Sequence, residues 1–175
     1  MVNKVFIKGI IFKEFTYSHT FKNKKYYKGY IKIINFNKLF IIVPVITSKN
    51  KCLNFKIGNR IKLNGNIRTR NYTENNKKRV CISTFAYSIK LNTNKRIFSN
   101  YVELKRKVLE FKYDTLILKV GKNNFIPIII SQPKNFCIFE NVYISGYFNS
   151  RKIVKNDNTS FIVYEIVATQ YHILS

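Results

Sequence analysis

A short pattern returns in this chain, and its return restricts the fold more than any single segment does. Gly65-Asn66-Ile67-Arg68-Thr69-Arg70 reappears as Gly146-Tyr147-Phe148-Asn149-Ser150-Arg151, sharing G-x-apolar-x-[ST]-R. Asn3-Lys4-Val5-Phe6-Ile7 is echoed by Asn100-Tyr101-Val102-Glu103-Leu104, and Ile42-Val43-Pro44-Val45 by Phe125-Ile126-Pro127-Ile128. The echoes lie 97 residues apart at the start, then 83 and 81, so the second copy is 14 residues shorter between its first and third segments. A period of this length makes each copy a domain, which excludes a solenoid of short repeats. We therefore expect two domains, 1–97 and 98–175, with the polar stretch Asn92 to Arg96 at the boundary.

Within each copy the signal is for strands. Ile, Phe, Tyr, Val and Asn dominate, and these residues favour strands and turns over helices. Residues 60–68 alternate polar and apolar, with Gly65 at the one inner position that lacks a side chain. That is the pattern of a half-buried strand with room to bend or bulge. Further strand-like runs cover 3–15, 26–35, 39–47 and 80–91, and Asn71 to Lys78 reads as the turn before the last. Five strands in about ninety residues imply an all-β barrel or sandwich.

The net charge is +24, yet 46% of the residues are hydrophobic, so the chain has the material for a core that disordered chains lack. Such a charge calls for a polyanion, either nucleic acid or an anionic membrane surface. An A/T-rich coding sequence would also enrich Lys, but drift would load both copies alike. They differ: residues 1–97 hold 22 Lys and Arg against 2 acids, and 98–175 hold 10 against 6. The first domain is thus the expected binding domain, and the second an auxiliary one or a means of pairing subunits.

Strand 26–35 carries the most specific pattern. Tyr26, Lys28, Tyr30 and Lys32 share one face, and Tyr27, Gly29, Ile31 and Ile33 the other. Rings interleaved with ammonium groups make poor core, but they suit a single strand of nucleic acid, whose bases stack and whose phosphates need cations. A solvated edge strand carrying Lys is the alternative reading. The segment Thr16 to Lys25 reads as a loop of the same character, with Tyr17, His19, Phe21, Lys22, Lys24 and Lys25. The turn from Arg68 to Arg79 adds Arg68, Arg70, Tyr72, Lys77, Lys78 and Arg79. In the second copy Tyr147, Phe148, Arg151 and Lys152 are candidates to extend the track. Phe85 and Tyr87 share a face that we assign to the core.

Asn3-x-Val5-x-Ile7-x-Gly9, the run Ile57 to Arg70, a basic loop and a terminal strand together resemble the bacterial single-stranded DNA-binding protein family. Phe15-Thr16-Tyr17-Ser18-His19 with Lys25-Tyr26-Tyr27 is similar to a variant common in clostridia, and Tyr143 to Arg151 followed by Tyr164-Glu165-Ile166-Val167 resembles the family again. The resemblance implies two tandem OB-folds, five-stranded Greek-key barrels that bind oligonucleotides across strands 2 and 3 and the flanking loops, the second one shortened. It also implies coating of single-stranded DNA in replication, recombination or repair, and a homodimer that would bring four OB-folds together. Departures are Arg106 in place of Gly9, the shortened first loop of copy two, the lack of Trp, and a C-terminus Tyr171-His172-Ile173-Leu174-Ser175 without acidic Gly-rich character. The family's helix between strands 3 and 4 finds weak support in Thr47 to Gly58, where a turn or a short helix is expected.

Other classes find little in the sequence. Cys52, Cys81 and Cys137 are far apart with no CxxC pair, which argues against a zinc site or a disulfide framework and fits the cytoplasm. Lysines interrupt the N-terminus too early for a signal peptide, and the longest apolar run, Leu39 to Ile46, is too short for a membrane helix. His19 and His172 fall in different domains, no Gly-rich phosphate loop is present, and the first domain has only Glu14 and Glu74 as acids. No enzyme, metal or cofactor is expected, and Cys52 and Cys81 read as buried thiols. RNA in place of DNA is the first alternative partner, and a replisome adaptor whose barrels bind proteins the second.

Overall fold

Period-two burial runs along most of the chain, as strands rich in Ile, Val and Phe require when one face is core. The computed structural model describes residues 2–34, 40–52, 54–74, 77–94, 98–120, 124–131, 136–154 and 160–174, leaving aside the side chains of 71, 72, 74 and 77–79. The first half forms β1 (Asn3–Phe21), β2 (Lys24–Ile34), β3 (Phe40–Ser48), β4 (Arg60–Glu74) and β5 (Lys77–Leu91). A single 3-10 turn, Lys49–Lys51, follows β3, in line with the turn or short helix expected there. The second half forms β6 (Ser99–Lys112), β7 (Thr115–Lys119), β8 (Phe125–Ile130), β9 (Asn141–Val154) and β10 (Ser160–Leu174).

Each half closes on itself. β1 pairs antiparallel with β2 and β4, β2 with β3, and β3 lies parallel to β5, which neighbours β4. The circuit β1-β2-β3-β5-β4 is repeated as β6-β7-β8-β10-β9, with β6 and β9 paired. A mixed five-stranded barrel of this order is consistent with an OB-fold in each half. Two compact units are distinguishable, Lys4–Arg68 with Ser83–Tyr101, and Val102–Ser175 with Met1–Asn3 and Thr69–Ile82.

The repeat read in the sequence is a repeat of strand register. Val5 faces Gly65 and Val102 faces Gly146; Tyr30 faces Pro44 and Ile117 faces Pro127. Ile46 pairs with Phe85, and in the second half β10 sets Val167 beside Ile129 in the same parallel manner. Gly65 and Gly146 hold corresponding places for one physical reason. A Cβ on Gly65 would come within 2.6 Å of the Phe85 carbonyl oxygen, and one on Gly146 would strike the Val167 carbonyl. The bend expected at this glycine is a crossing of two backbones too close for any side chain.

Inside, Ile7, Ile31 and Leu63 fill the first barrel, and Leu104, Leu116 and Ile144 the second. Phe148 is core as well, 1% exposed, which removes it from the expected track. Tyr147 and Phe148 are adjacent on β9, so only one of the two rings can face out. Most of the shortening of the second copy lies in its first hairpin, where β6 turns at Tyr113 and β7 is only 5 residues long, and the rest lies between β7 and β8. Arg106, in the place of Gly9, is buried; its Nη1 donates to the carbonyls of Val2 and Lys105 at 3.0 and 2.8 Å, and burial lowers its pKa.

Candidate nucleic-acid interface

From Gly29 on, β2 meets the expectation for its two faces, while Tyr27 is only half-buried. Gly29, Ile31 and Ile33 are buried, whereas Tyr26, Lys28, Tyr30 and Lys32 are half-buried on the outer side. Cations lie over the rings there: the Lys28 and Lys13 ammonium groups are 5.3 and 5.6 Å from the centre of Tyr30. Lys32 lies 3.4 Å from the centre of Phe40 on β3 and 6.0 Å from that of Phe12 on β1. Such pairs hold a long side chain in place while its charge stays accessible. Lys13, Phe12 and Phe40 join the face only in three dimensions, since no alternation in the sequence connects them to β2.

Beside this group runs a row of rings that reaches from β1 and β2 over β3 to β5. His19 of β1 stacks on Tyr26 of β2 at 5.1 Å and 18°, and Tyr26 meets Phe85 of β5 at 5.7 Å. The Arg68 guanidinium of β4 covers Phe85 at 4.3 Å. Phe85 and Tyr87 are therefore not core, contrary to the assignment from sequence. The inner positions of β5 are Thr84 and Ala86, 0% and 1% exposed, because the close crossing at Gly65 leaves no room for a ring. Tyr87 is 47% exposed at a cleft of about 340 Å³ that it lines with Asn50, Lys51, Asn54 and Phe55. Lys51 donates to the Tyr87 carbonyl.

The expected loop Thr16 to Lys25 is instead the end of the β1–β2 hairpin. β1 runs to Phe21 and β2 starts at Lys24, with Lys22 and Asn23 at φ 46° and 59° in a two-residue turn. Thr, Tyr and Phe are strand formers, and pairing satisfies backbone groups that a loop would leave to water. A ladder has two faces, and the candidates divide between them. His19, Phe21 and Lys24 fall on the side of Tyr26, while Tyr17 and Lys25 share the other with Tyr27. Tyr17 meets Tyr27 edge-on at 6.2 Å, and its hydroxyl is 3.0 Å from Thr20 Oγ1. Lys22, in the turn, lies 5.7 Å from the centre of Phe21.

The second expected turn is also largely strand, since β4 extends to Glu74 and β5 begins at Lys77. Arg68 and Arg70 are exposed and share a face by period two. The side chains of Tyr72, Lys77, Lys78 and Arg79 lie outside the described residues.

The second barrel does not rebuild this surface. Strand register sets Thr115, Ile117, Asn149 and Val167 where the first barrel has Lys28, Tyr30, Arg68 and Phe85. Tyr147 is half-buried and Lys152 exposed, on β9. Arg151 is tied to Glu165, Nε to Oε2 at 3.2 Å, and Asn149 donates to the other oxygen of that carboxylate at 2.7 Å. Its charge is therefore already answered within the barrel.

Among the described residues no group of three His, Cys, Asp or Glu side chains is placed to hold a metal ion. No described helix is long and apolar enough to cross a membrane. Cys52 is 4% exposed and burial raises its pKa, and its thiol donates to the Lys49 carbonyl at 3.4 Å; Cys81 is half-buried and Cys137 exposed.

No family model matches the chain, and no curated protein matches it by sequence. Among solved structures, the wild-type single-stranded DNA binding protein from Thermus aquaticus is similar at a TM-score of 0.71 and 12% identity, covering 99% of this chain and 93% of that one. A deletion mutant of the Thermus protein gives 0.71 and 12% over 99% of this chain and 95% of its own. The mitochondrial single-stranded DNA binding protein from S. cerevisiae spans 52% of this chain and 96% of its own, at a TM-score of 0.45 and 16% identity. The likeness to the Thermus protein extends the shared fold over nearly the whole chain.

Proposed function

We propose that this protein binds single-stranded DNA without strong sequence preference, through the outer face of its first barrel, and protects the strand during replication, recombination or repair. The observation that carries the proposal is the row His19, Tyr26, Phe85 and Arg68, which draws on four strands and ends in a cation. Bases stack on such rings whatever their identity, at about 1–3 kcal/mol each. Lys13, Lys28, Lys32 and Arg68 supply the charge for the phosphates. Tyr26, Tyr30 and Phe85 are the proposed base platforms. The fold shared with the Thermus aquaticus protein supports the same reading. Residues 1–97 form the main binding domain in this proposal, and 98–175 serve an auxiliary role or pair subunits into a four-barrel dimer. The protein acts by binding and has no reaction of its own.

Anisotropy titrations of labelled single-stranded DNA, matched RNA and duplex test this. Single-stranded DNA should bind far more tightly than duplex. If about 6–8 phosphates are engaged, log affinity should fall against log salt with a slope of about −4 to −6. An affinity indifferent to salt overturns the proposal. Tighter binding to RNA moves the function to RNA, and no binding to any strand at low salt favours the adaptor role.

A further inference from the structure

The β1–β2 hairpin has a second aromatic and basic face, pointing away from the row just described. Thr16 to Lys25 is exposed throughout, and within it β1 and β2 pair only with each other, since the β2–β3 ladder starts at Tyr26 and the β1–β4 ladder ends at Ile10. Both sides of this ribbon are therefore open to solvent. On the rear side Phe15 lies against Gly29, where an added Cβ would come within 2.9 Å of the ring. Next come the edge-on pair Tyr17 and Tyr27, the Tyr17 to Thr20 hydroxyl contact, and Lys25 beside Thr20 in the ladder. Tyr17 is 56% exposed, and its partner ring and Thr20 fix its orientation. A ring held in place by a neighbour and a hydroxyl, with an ammonium one ladder step away, repeats the chemistry of the front.

We propose that this rear face is a second subsite for the same single strand, which reaches it by folding over the turn at Lys22 and Asn23. The inference rests on the function proposed above and adds the path of the ligand. Charge identifies the occupant: Lys22, Lys24 and Lys25 ring the turn, and the sequence has no acidic residue from Phe15 to Ser48. A polyanion passing the turn meets cations on both sides and no repulsion. Tyr17 stacks a base there, and Lys25 meets a phosphate.

Two oligothymidylates separate the faces, one of about 6 nucleotides, which the front alone accommodates, and one of about 30, which covers both. Tyr17→Leu should weaken the long oligomer about tenfold, the effect of one lost stacked base, and leave the short one within twofold of wild type. Tyr17→Phe keeps the ring but loses its hydroxyl contact with Thr20, and should weaken the long oligomer far less than Tyr17→Leu does. Lys25→Gln should make the salt slope for the long oligomer shallower by about 0.7, one phosphate's share, and leave the short oligomer's slope unchanged. Equal losses at both lengths would mean that Tyr17 merely shapes the hairpin, and unchanged binding of the long oligomer by both Tyr17→Leu and Lys25→Gln would mean no rear contact; either result overturns the proposal. Failure of the wild-type chain to bind the short oligomer would instead overturn the front-face function, and this inference with it.

Discussion

The two barrels agree in strand order, in register and at the glycine crossing, and they disagree on the surface that matters for a ligand. Where the first sets Lys28, Tyr30, Arg68 and Phe85, the second sets Thr115, Ile117, Asn149 and Val167. None of these exchanges touches the core, whose inward positions are filled mainly by Ile, Val and Leu in both. Closure and binding are thus separable properties of this fold. The backbone crossing and the inner face specify the barrel, and the outer face is free to diverge.

That separation is easiest to break with the rings. Tyr26→Ala with Phe85→Ala should remove about 4 kcal/mol of binding to single-stranded DNA, two stacked bases' worth, while Tyr147→Ala in the second barrel changes affinity by less than threefold. Equal effects in titrations of the two variants would erase the proposed division of labour. Closure should fail alike in both halves. Gly65→Val and Gly146→Val each force a side chain against a carbonyl oxygen, and each should cost about 3 kcal/mol in denaturant unfolding. A loss confined to one variant would show that the two crossings are not equivalent. The charges give smaller differences. Arg68→Gln should make the salt slope shallower by about 0.7, whereas Arg151→Gln leaves it unchanged, since Glu165 already holds that guanidinium. Smallest of all, Glu165→Gln should release Arg151 and raise affinity by about twofold at low salt, and it should shift stability by about 1 kcal/mol, since the guanidinium of the pair is exposed and Asn149 can still donate to the amide oxygen.

What could be read in advance follows from which patterns are local. The two faces of β2 were legible because Gly29, Ile31 and Ile33 alternate strictly with Lys28, Tyr30 and Lys32, and the duplication because glycine and proline keep their spacing through divergence. The hairpin end was not legible as strand. Both its sides face water, so no apolar alternation marks it, and Lys, Asn, Ser and His give it the composition of a loop. Phe85 and Tyr87 were misassigned because the residues between them and before them, Ala86 and Thr84, are too small to advertise an inner face. Phe12, Lys13 and Phe40 come to β2 by strand pairing, and Glu165 reaches Arg151 from 14 residues away, which no spacing rule foresees.

The shared register also has a bearing on how the chain folds. Two barrels with interchangeable pairings invite a strand of one to dock in the other, the characteristic misassembly of tandem repeats. Unequal strand lengths oppose it. β2 has 11 residues and β7 has 5, so an exchange would leave about half of the longer ladder without partners and its carbonyls and amides unpaired. The shortened first hairpin of the second barrel thereby makes such an exchange costly in unpaired backbone groups.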